Sequence, residues 1–522
     1  MKSPGFVKWH RAWKLGGLLS VAALSGCGAP HLSLPHHPAI LPRPTLTIIS
    51  PSGSSGGFNP VTTRDRMPGH LLDQLMWNAL VNVAPNGALV PGLASKWALS
   101  DQNRRVVVTL DPRAKWWNGR PVTASDVVWS YRFYLRQASG FPRAVLLSHV
   151  LKSVTAINST QVAFTLREPD PGFLGTFASQ ADGPYILPSY LLHGLPLPKV
   201  ASSRILANPL DFVGTGPFRP VAARGSQVSL KSVPRYFEGN PHIADIVWTS
   251  LPPAHSSPQM AALWLSAPPK TAFGLVQQWL PDNRVWTLLP NYHRMSHSET
   301  SALVTALYRS LDRKQLAAVG HGTPANGPVL PSNWSYYPGL KPALSIASLT
   351  APGVGAGSWV ISVNQSHPRL VAACQLITQE TRVAGLHFSC QELSGSAYRH
   401  AVTTGQFEWA LDDTETSPLG WFYSQYRGGM IPPWGKNIGG YNDVAVNQAL
   451  DRAARATSPS QHLAGLYQAE TALQAHPPGV FLAWPETPWW RTANLVGVGT
   501  NPYVHFYQPQ AWQVRPPHKG KK

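Results

Sequence analysis

The sequence predicts an α/β protein, and three observations carry that prediction. From residue 45 onward, short runs of β-branched and aromatic residues alternate with segments of helical periodicity. No internal repeat or low-complexity block interrupts the alternation, and no apolar run is long enough to span a bilayer. The 522 residues, 43% of them hydrophobic, are enough to fill two or three cores.

The first 27 residues read as an address. Lys2, Lys8, Arg11 and Lys14 precede the apolar run "LGGLLSVAAL" at 15–24, and small residues follow, which is the pattern of a secretory signal. The "LSGC" at 24–27 resembles the lipobox of bacterial lipoproteins. That resemblance implies lipidation of Cys27 and anchoring to the outer face of the cytoplasmic membrane, against the plainer reading of a cleavage site with an incidental cysteine. Residues 28–44 carry prolines at 30, 35, 38, 42 and 44, so they favour an extended polyproline II tether. His31, His36 and His37 lie in that tether without a cysteine or carboxylate partner, and no metal site is expected there.

Strands are expected at 45–50, 104–110 and 161–166, and helices at 71–81, 124–137, 299–311, 369–384 and 444–456. Between them, "WWNGRPVTASDVVWSYRF" at 116–133 reads as a strand end, an Asn118–Gly119 turn and a helix opened by a Thr123–Asp126 capping box. Cys374 falls in a predicted helix and Cys390 in the strand after it, so an oxidising compartment allows a helix-to-strand disulfide.

Charge narrows the function classes. Only 13% of residues are charged, and 43 Lys+Arg against 24 Asp+Glu give a formal net charge of +19. The basic residues are scattered singly except Lys519, Lys521 and Lys522, so no nucleic-acid partner is expected. The excess reflects missing acids, which suits an acidic exterior because carboxylates titrate near pH 4. An exported hydrolase would need a catalytic constellation, yet there is no G-x-S-x-G, H-E-x-x-H or P-loop. "GVGAGS" at 353–358 lacks the spacing of a dinucleotide loop and reads as a turn.

The order of motifs along the chain resembles the family 5 extracytoplasmic solute-binding proteins, the peptide and nickel binders of ABC importers. "PGLASKWALSDQNRRVVVTLDPRAKWWNGRPVTASDVVWS" at 91–130 is similar to the family signature. "VGTGPF" at 213–218, "PRYFEGNPHIADI" at 234–246, "ALYRSLDRKQLAAV" at 306–319 and "GTPANGPVLPSN" at 322–333 follow in the family's order. So do "FEWALDDTETSP" at 407–418, "NIGGYNDVAVNQALDRA" at 437–453 and "HPPGVFLAW" at 476–484. The departures lie on the cleft side: 251–295 is short, "SAPPKTAF" stands where a Gly-Glu-x-Asp turn is usual, and Trp77 replaces a common tyrosine.

This resemblance implies a two-lobed periplasmic-binding-protein-like fold of type II, with a hinge and an extra subdomain on the first lobe. Lobe I is expected over 45–300 with the subdomain at about 76–165, lobe II over 301–480, a return to lobe I over 481–515, and a basic tail at 516–522. It implies a monomeric, lipid-anchored receptor that captures a peptide between closing lobes and delivers it to permease and ATPase subunits, with no cofactor or metal and no catalysis. The family's ammonium-binding aspartate lies just past a tryptophan. Here that alignment falls on Trp409 with Asp412 or Asp413, the spacing favouring Asp412. Trp77, Trp421, Trp434, Trp489 and Trp490 are candidate cleft walls, with core packing the alternative for each. Flat tryptophan faces also suit an oligosaccharide, a nickel chelate ranks below both, and a sensor or chaperone role uses the same fold.

Overall fold

The structure, a computed structural model, describes residues 44–51, 59–62, 68–136, 139–181, 183–251, 261–270, 272, 274–340, 357–416, 422–499 and 501–515. Cys27, the leader, the tether, Trp421 and the tail at 516–522 lie outside those residues.

Two large sheets organise the chain into two α/β lobes. The first has seven strands in the order Leu275–Pro281, Glu486–Thr492, Ala261–Trp264, Thr45–Ile49, Asp245–Thr249, Gln227–Ser232, Phe218–Arg224. Thr45–Ile49 runs parallel to both its neighbours, and Leu46 and Ile48 are fully buried, which is why this strand reads as β-branched and apolar. The second sheet orders Thr323–Pro324, Val480–Trp484, Arg284–Pro290, Trp409–Glu415, Ser358–Asn364 and His387–Leu393. Helices His297–Ser310 and Pro368–Val383 contribute Leu303, Leu307, Ala373 and Ile377 to a core shared with Leu288, Val363 and Leu411 of that sheet. Cys374 and Cys390 are joined by a disulfide that ties helix Pro368–Val383 to the edge strand His387–Leu393.

The extra subdomain is a four-stranded antiparallel sheet, Ala94–Ser100, Arg105–Leu110, Gln161–Leu166 and Leu151–Ala156, backed by helix Ala124–Tyr134. In Arg105–Leu110, Val106, Val108 and Leu110 alternate inward as the period of two requires. Asp126 explains the ordered corner before that helix. Its carboxylate accepts from the Thr123 backbone N–H at 3.0 Å, from the Ser189 hydroxyl at 2.6 Å and from the Trp116 indole at 3.4 Å. The corner is therefore scaffold: one buried acid caps the helix and fixes two distant segments.

The helix expected at 71–81 spans Pro68–Met76. Beyond it, the Asn78 N–H donates to the Thr215 hydroxyl and the Ala79 N–H to the Gln180 side-chain amide oxygen, so tertiary side chains satisfy donors that a longer helix would have used. The "VGTGPF" turn lies against this helix end. A Cβ at Gly214 would stand 2.2 Å from the Met76 carbonyl oxygen, and one at Gly216 would stand 2.5 Å from that of Leu75. Only glycine permits so close a backbone approach. Among the described residues, no helix is long and apolar enough to cross a membrane.

Candidate functional site

The chain passes between the two large sheets at two adjacent points. Strand Leu275–Pro281 belongs to the first sheet and Arg284–Pro290 to the second, so one crossover is Asp282–Asn283. Val480–Trp484 belongs to the second and Glu486–Thr492 to the first, so the other is Pro485. They are bonded to each other: the Asp282 N–H donates to the Pro485 carbonyl at 3.4 Å, and the Thr487 hydroxyl to the Asp282 carboxylate at 3.3 Å. The N–H of Thr416 adds a third tie, donating to the Asn283 carbonyl at 2.7 Å. Two short connections side by side let lobes rotate about one axis, the arrangement of a hinge.

A cavity of about 850 Å³ opens at this hinge, inside the range of small-ligand sites. The first lobe lines it with Pro51, His70, Trp489 and Trp490, and the second with Trp286, Arg369, Asp413 and Glu415. Its ionic lining sets Arg284 and Arg369 against three carboxylates, Asp282, Asp413 and Glu415. Arg284 donates to the Asp413 carbonyl at 2.5 Å and lies 3.9 Å from the carboxylate of Asp413 and 4.0 Å from that of Asp282. Arg369 donates to the Gly320 and Glu486 carbonyls at 2.8 and 2.6 Å, which fixes it beside the second crossover. Burial lowers the pKa of Arg369, while Asp413 and Asp282 act to raise it. A surface that carries both signs of charge beside aromatic walls suits a zwitterion with an apolar body.

Strand phase decides which aspartate faces this space. Along Trp409–Glu415, Trp409 and Leu411 enter the core beneath the long helices, and Asp413 continues that face into the cavity. Asp412 falls on the opposite face with Ala410, where it accepts from the Tyr398 hydroxyl at 2.9 Å and the Thr414 hydroxyl at 2.8 Å. Burial, and then Asp412, push the Tyr398 phenol well above its ordinary pKa, so it stays a donor. The spacing from Trp409 favours Asp412, but a separation of three along a strand changes face, and the structure turns that residue toward Tyr398.

The tryptophans divide in the same way. Trp77 and Trp409 are fully buried, packed near Phe212 and Phe388, and act as core residues. Trp434 is 44% exposed and lies 5.2 Å from the His149 ring, at the contact between the subdomain and the second lobe. Trp489 and Trp490 both border the cavity, but as consecutive residues of strand Glu486–Thr492 they face opposite sides, and Trp489 also packs into the first lobe's core against Phe506. The sequence did not single out Trp286, Arg284 or Arg369. For Arg369 a signal existed: a cation in the first turn of helix Pro368–Val383 opposes the helix dipole and so needs another purpose.

The lobes also touch away from the hinge. The Asn103 side chain donates to the carbonyls of Ala454 and Ala456 at 3.0 and 2.7 Å, and the Trp334 N–H to the Asn86 carbonyl at 2.9 Å. Among the described residues, no group of three or more His, Cys, Asp or Glu is placed to hold a metal ion.

A family profile described as bacterial extracellular solute-binding proteins, family 5 middle, matches residues 88–427. The oligopeptide-binding protein AppA of Bacillus subtilis is 21% identical over 445 residues, covering 78% of this chain and 80% of that protein. Its structure in complex with a nonapeptide superposes with a TM-score of 0.68 over 90% of this chain and 99% of that one, at 18% identity. DppA of Helicobacter pylori in complex with the peptide STSA gives 0.67 over 91% and 98%, at 17% identity. The ABC transporter substrate binding protein CtaP of Listeria monocytogenes gives 0.73 over 90% and 99%, at 16% identity. At these identities the structural likeness establishes the fold.

Proposed function

The chain belongs to the bacterial extracellular solute-binding proteins of family 5, which bind solutes outside the cytoplasm and are not enzymes, and from that premise we propose that its solute is a peptide held between the two lobes. The observation that carries the reading is the hinge cavity, where Asp413 stands on one wall among Arg284, Arg369 and the tryptophans 286, 489 and 490. A peptide's ammonium group pairs with Asp413, its backbone aligns with the strand end that carries that residue, and its side chains lie against the aromatic walls. The peptide ligands named for AppA and DppA support the same class.

Capture follows from closure. An open protein leaves the Asp413 wall and the Trp489–Trp490 wall each exposed to water. Closing about residues 282–283 and 485 brings both against the ligand and adds the Asn103 clasp at the far side. The ligand leaves unchanged when the lobes part. The "LSGC" lipobox and the proline-rich segment after it support a lipid anchor on Cys27 with a stiff tether, placing the lobes beside an ABC permease in the same membrane. The boundaries we propose for the rigid lobes are the two crossovers, with residues 94–166 moving as part of the first lobe.

Native mass spectrometry of the protein as purified tests the reading. A spread of co-purified peptide masses is expected. A single saccharide or metal-chelate mass, with no peptide binding on titration, would overturn it.

A further inference from the structure

We propose that Tyr503 is a positioning residue that couples an occupied cavity to closure of the lobes: its ring walls the hinge cavity from the first lobe, while its hydroxyl accepts a hydrogen bond from the Asn333 side chain of the second. The inference concerns how a solute in that cavity is retained, and it holds whether or not the solute is a peptide.

Each partner is fixed to its own lobe. The Asn501 side chain accepts from the backbone N–H groups of Tyr503 and Val504 at 2.8 and 3.1 Å and donates to the Val83 carbonyl at 2.7 Å, which pins the turn carrying Tyr503 to the first lobe. Three residues on, the Phe506 N–H donates to the Gln74 side-chain oxygen at 3.0 Å. Across the gap, the Asn333 oxygen accepts from the N–H and hydroxyl of Ser335 at 2.9 and 2.8 Å, which directs its amide nitrogen to the Tyr503 hydroxyl, 2.6 Å away. The loop bearing Asn333 follows strand Thr323–Pro324 and is held to helix Pro459–Ala475 by the Tyr337 ring, 4.9 Å from that of Tyr467. A bond between groups so mounted cannot follow a rotation of the lobes, because hydrogen bonds fail beyond about 3.5 Å. It is made on closing and broken on opening.

Its place sets this tie apart from the contacts of Asn103 and Trp334, neither of which lines the cavity. The Tyr503 ring also belongs to an apolar cluster that draws Val83 and Val504 from the first lobe and Val329, Leu330 and Trp484 from the second. Closure therefore dries the hydroxyl and the amide, and no water competes for the bond. Burial pushes the Tyr503 phenol up to about 12, so it stays protonated through the acid and neutral range. A solute packed against the ring holds it in the orientation that Asn333 needs, and the bond in turn holds the ring against the solute. The two effects share one coupling free energy. For a solute that binds the closed form, loss of the bond weakens binding by the factor by which it weakens closure.

Tyr503→Phe keeps the ring and removes the acceptor, and two measurements read the consequence. Pulsed electron resonance between spin labels on cysteines introduced at the exposed positions Leu251 and Val383, one on each lobe, needs no ligand. In ligand-free protein the ratio of short to long distances should fall about tenfold, the worth of one buried hydrogen bond. Surface plasmon resonance with trialanine and with a tripeptide carrying a central phenylalanine should show both dissociating about tenfold faster, with association within about threefold, since the wall facing the solute is unchanged. Asn333→Ala should act alike, and the double variant should be within about threefold of either single one. An unchanged ligand-free distance ratio in Tyr503→Phe overturns the proposal. So does a double variant whose losses multiply to about a hundredfold, or a rate change confined to one of the two peptides, which would mark a direct solute contact instead. If Asn333→Ala does not fold, the two Tyr503→Phe measurements decide. Binding of neither peptide to the parent protein removes the peptide reading, and the ligand-free distances then decide alone.

Discussion

Glu470 sets the pH dependence of stability. It lies on helix Pro459–Ala475 with 1% of its surface exposed, and a backbone hydrogen bond from Tyr337 opposes only part of the effect of burial. Burial pushes its pKa from 4.5 up to about 8. The folded protein therefore keeps this proton while the unfolded chain releases it. Stability from this group is fully present below pH 4.5, falls by about 1.4 kcal/mol per pH unit as pH rises, and is lost once pH passes about 8. At pH 7 the loss spans about two and a half pH units, or roughly 3 kcal/mol. Glu470→Gln keeps the shape and removes the titration. Urea unfolding of both proteins at pH 4 and pH 7 should show the variant gaining about 3 kcal/mol more, relative to the parent, at the higher pH. Parallel behaviour of the two proteins at both pH values would mean that Glu470 does not keep its proton in the folded protein. Burial also raises Asp170 and Glu238 to about 7 each, so the parent as a whole should be more stable at pH 5 than at pH 7.5. That direction agrees with the acid-poor composition.

Three further outcomes follow from the geometry. Asp413→Asn should weaken peptide binding by about 2–5 kcal/mol in calorimetry, the cost of stripping one partner from a buried charge pair, whereas Asp412→Asn should affect it far less because that side chain faces Tyr398. Asn103→Ala removes two hydrogen bonds that hold the lobes together and should raise the peptide Kd about tenfold while leaving the thermal midpoint of either lobe nearly unchanged. Reducing the Cys374–Cys390 bond, which closes a sequence separation of 16, should cost about 3 kcal/mol in urea unfolding of the second lobe.

The sequence disclosed the scaffold better than the site, for identifiable reasons. Strands such as Arg105–Leu110 and helices such as His297–Ser310 announce themselves because one face is buried and the period is clean. The 17-residue helix Pro459–Ala475 did not, because its buried stripe runs Gly465, Leu466, Ala469, Glu470 and Leu473, where small and ionisable residues blur the pattern. Its start was nonetheless written in Ser458, which caps the Gln461 N–H, and in Pro459 at the first helical position. At the site, "DDTE" marked a strand that reaches the cavity, and of its two aspartates it is Asp413, not the Asp412 that spacing favours, that lines it. The alternation Trp409, Leu411, Asp413 was available in the sequence and separates the two aspartates by face. Arg284 and Trp286 could not have been found this way. They meet Asp413 only through antiparallel pairing of strands more than a hundred residues apart, and a ladder register is set by tertiary packing.

The central claim, that two lobes close on a peptide, is tested most directly by an inter-lobe distance. Spin labels on cysteines introduced at Leu251 in the first lobe and Val383 in the second, positions 68% and 75% exposed, report that distance by pulsed electron resonance. A broad distribution is expected without ligand, narrowing and shortening when peptide saturates the protein. A distribution that stays the same at saturating peptide contradicts it.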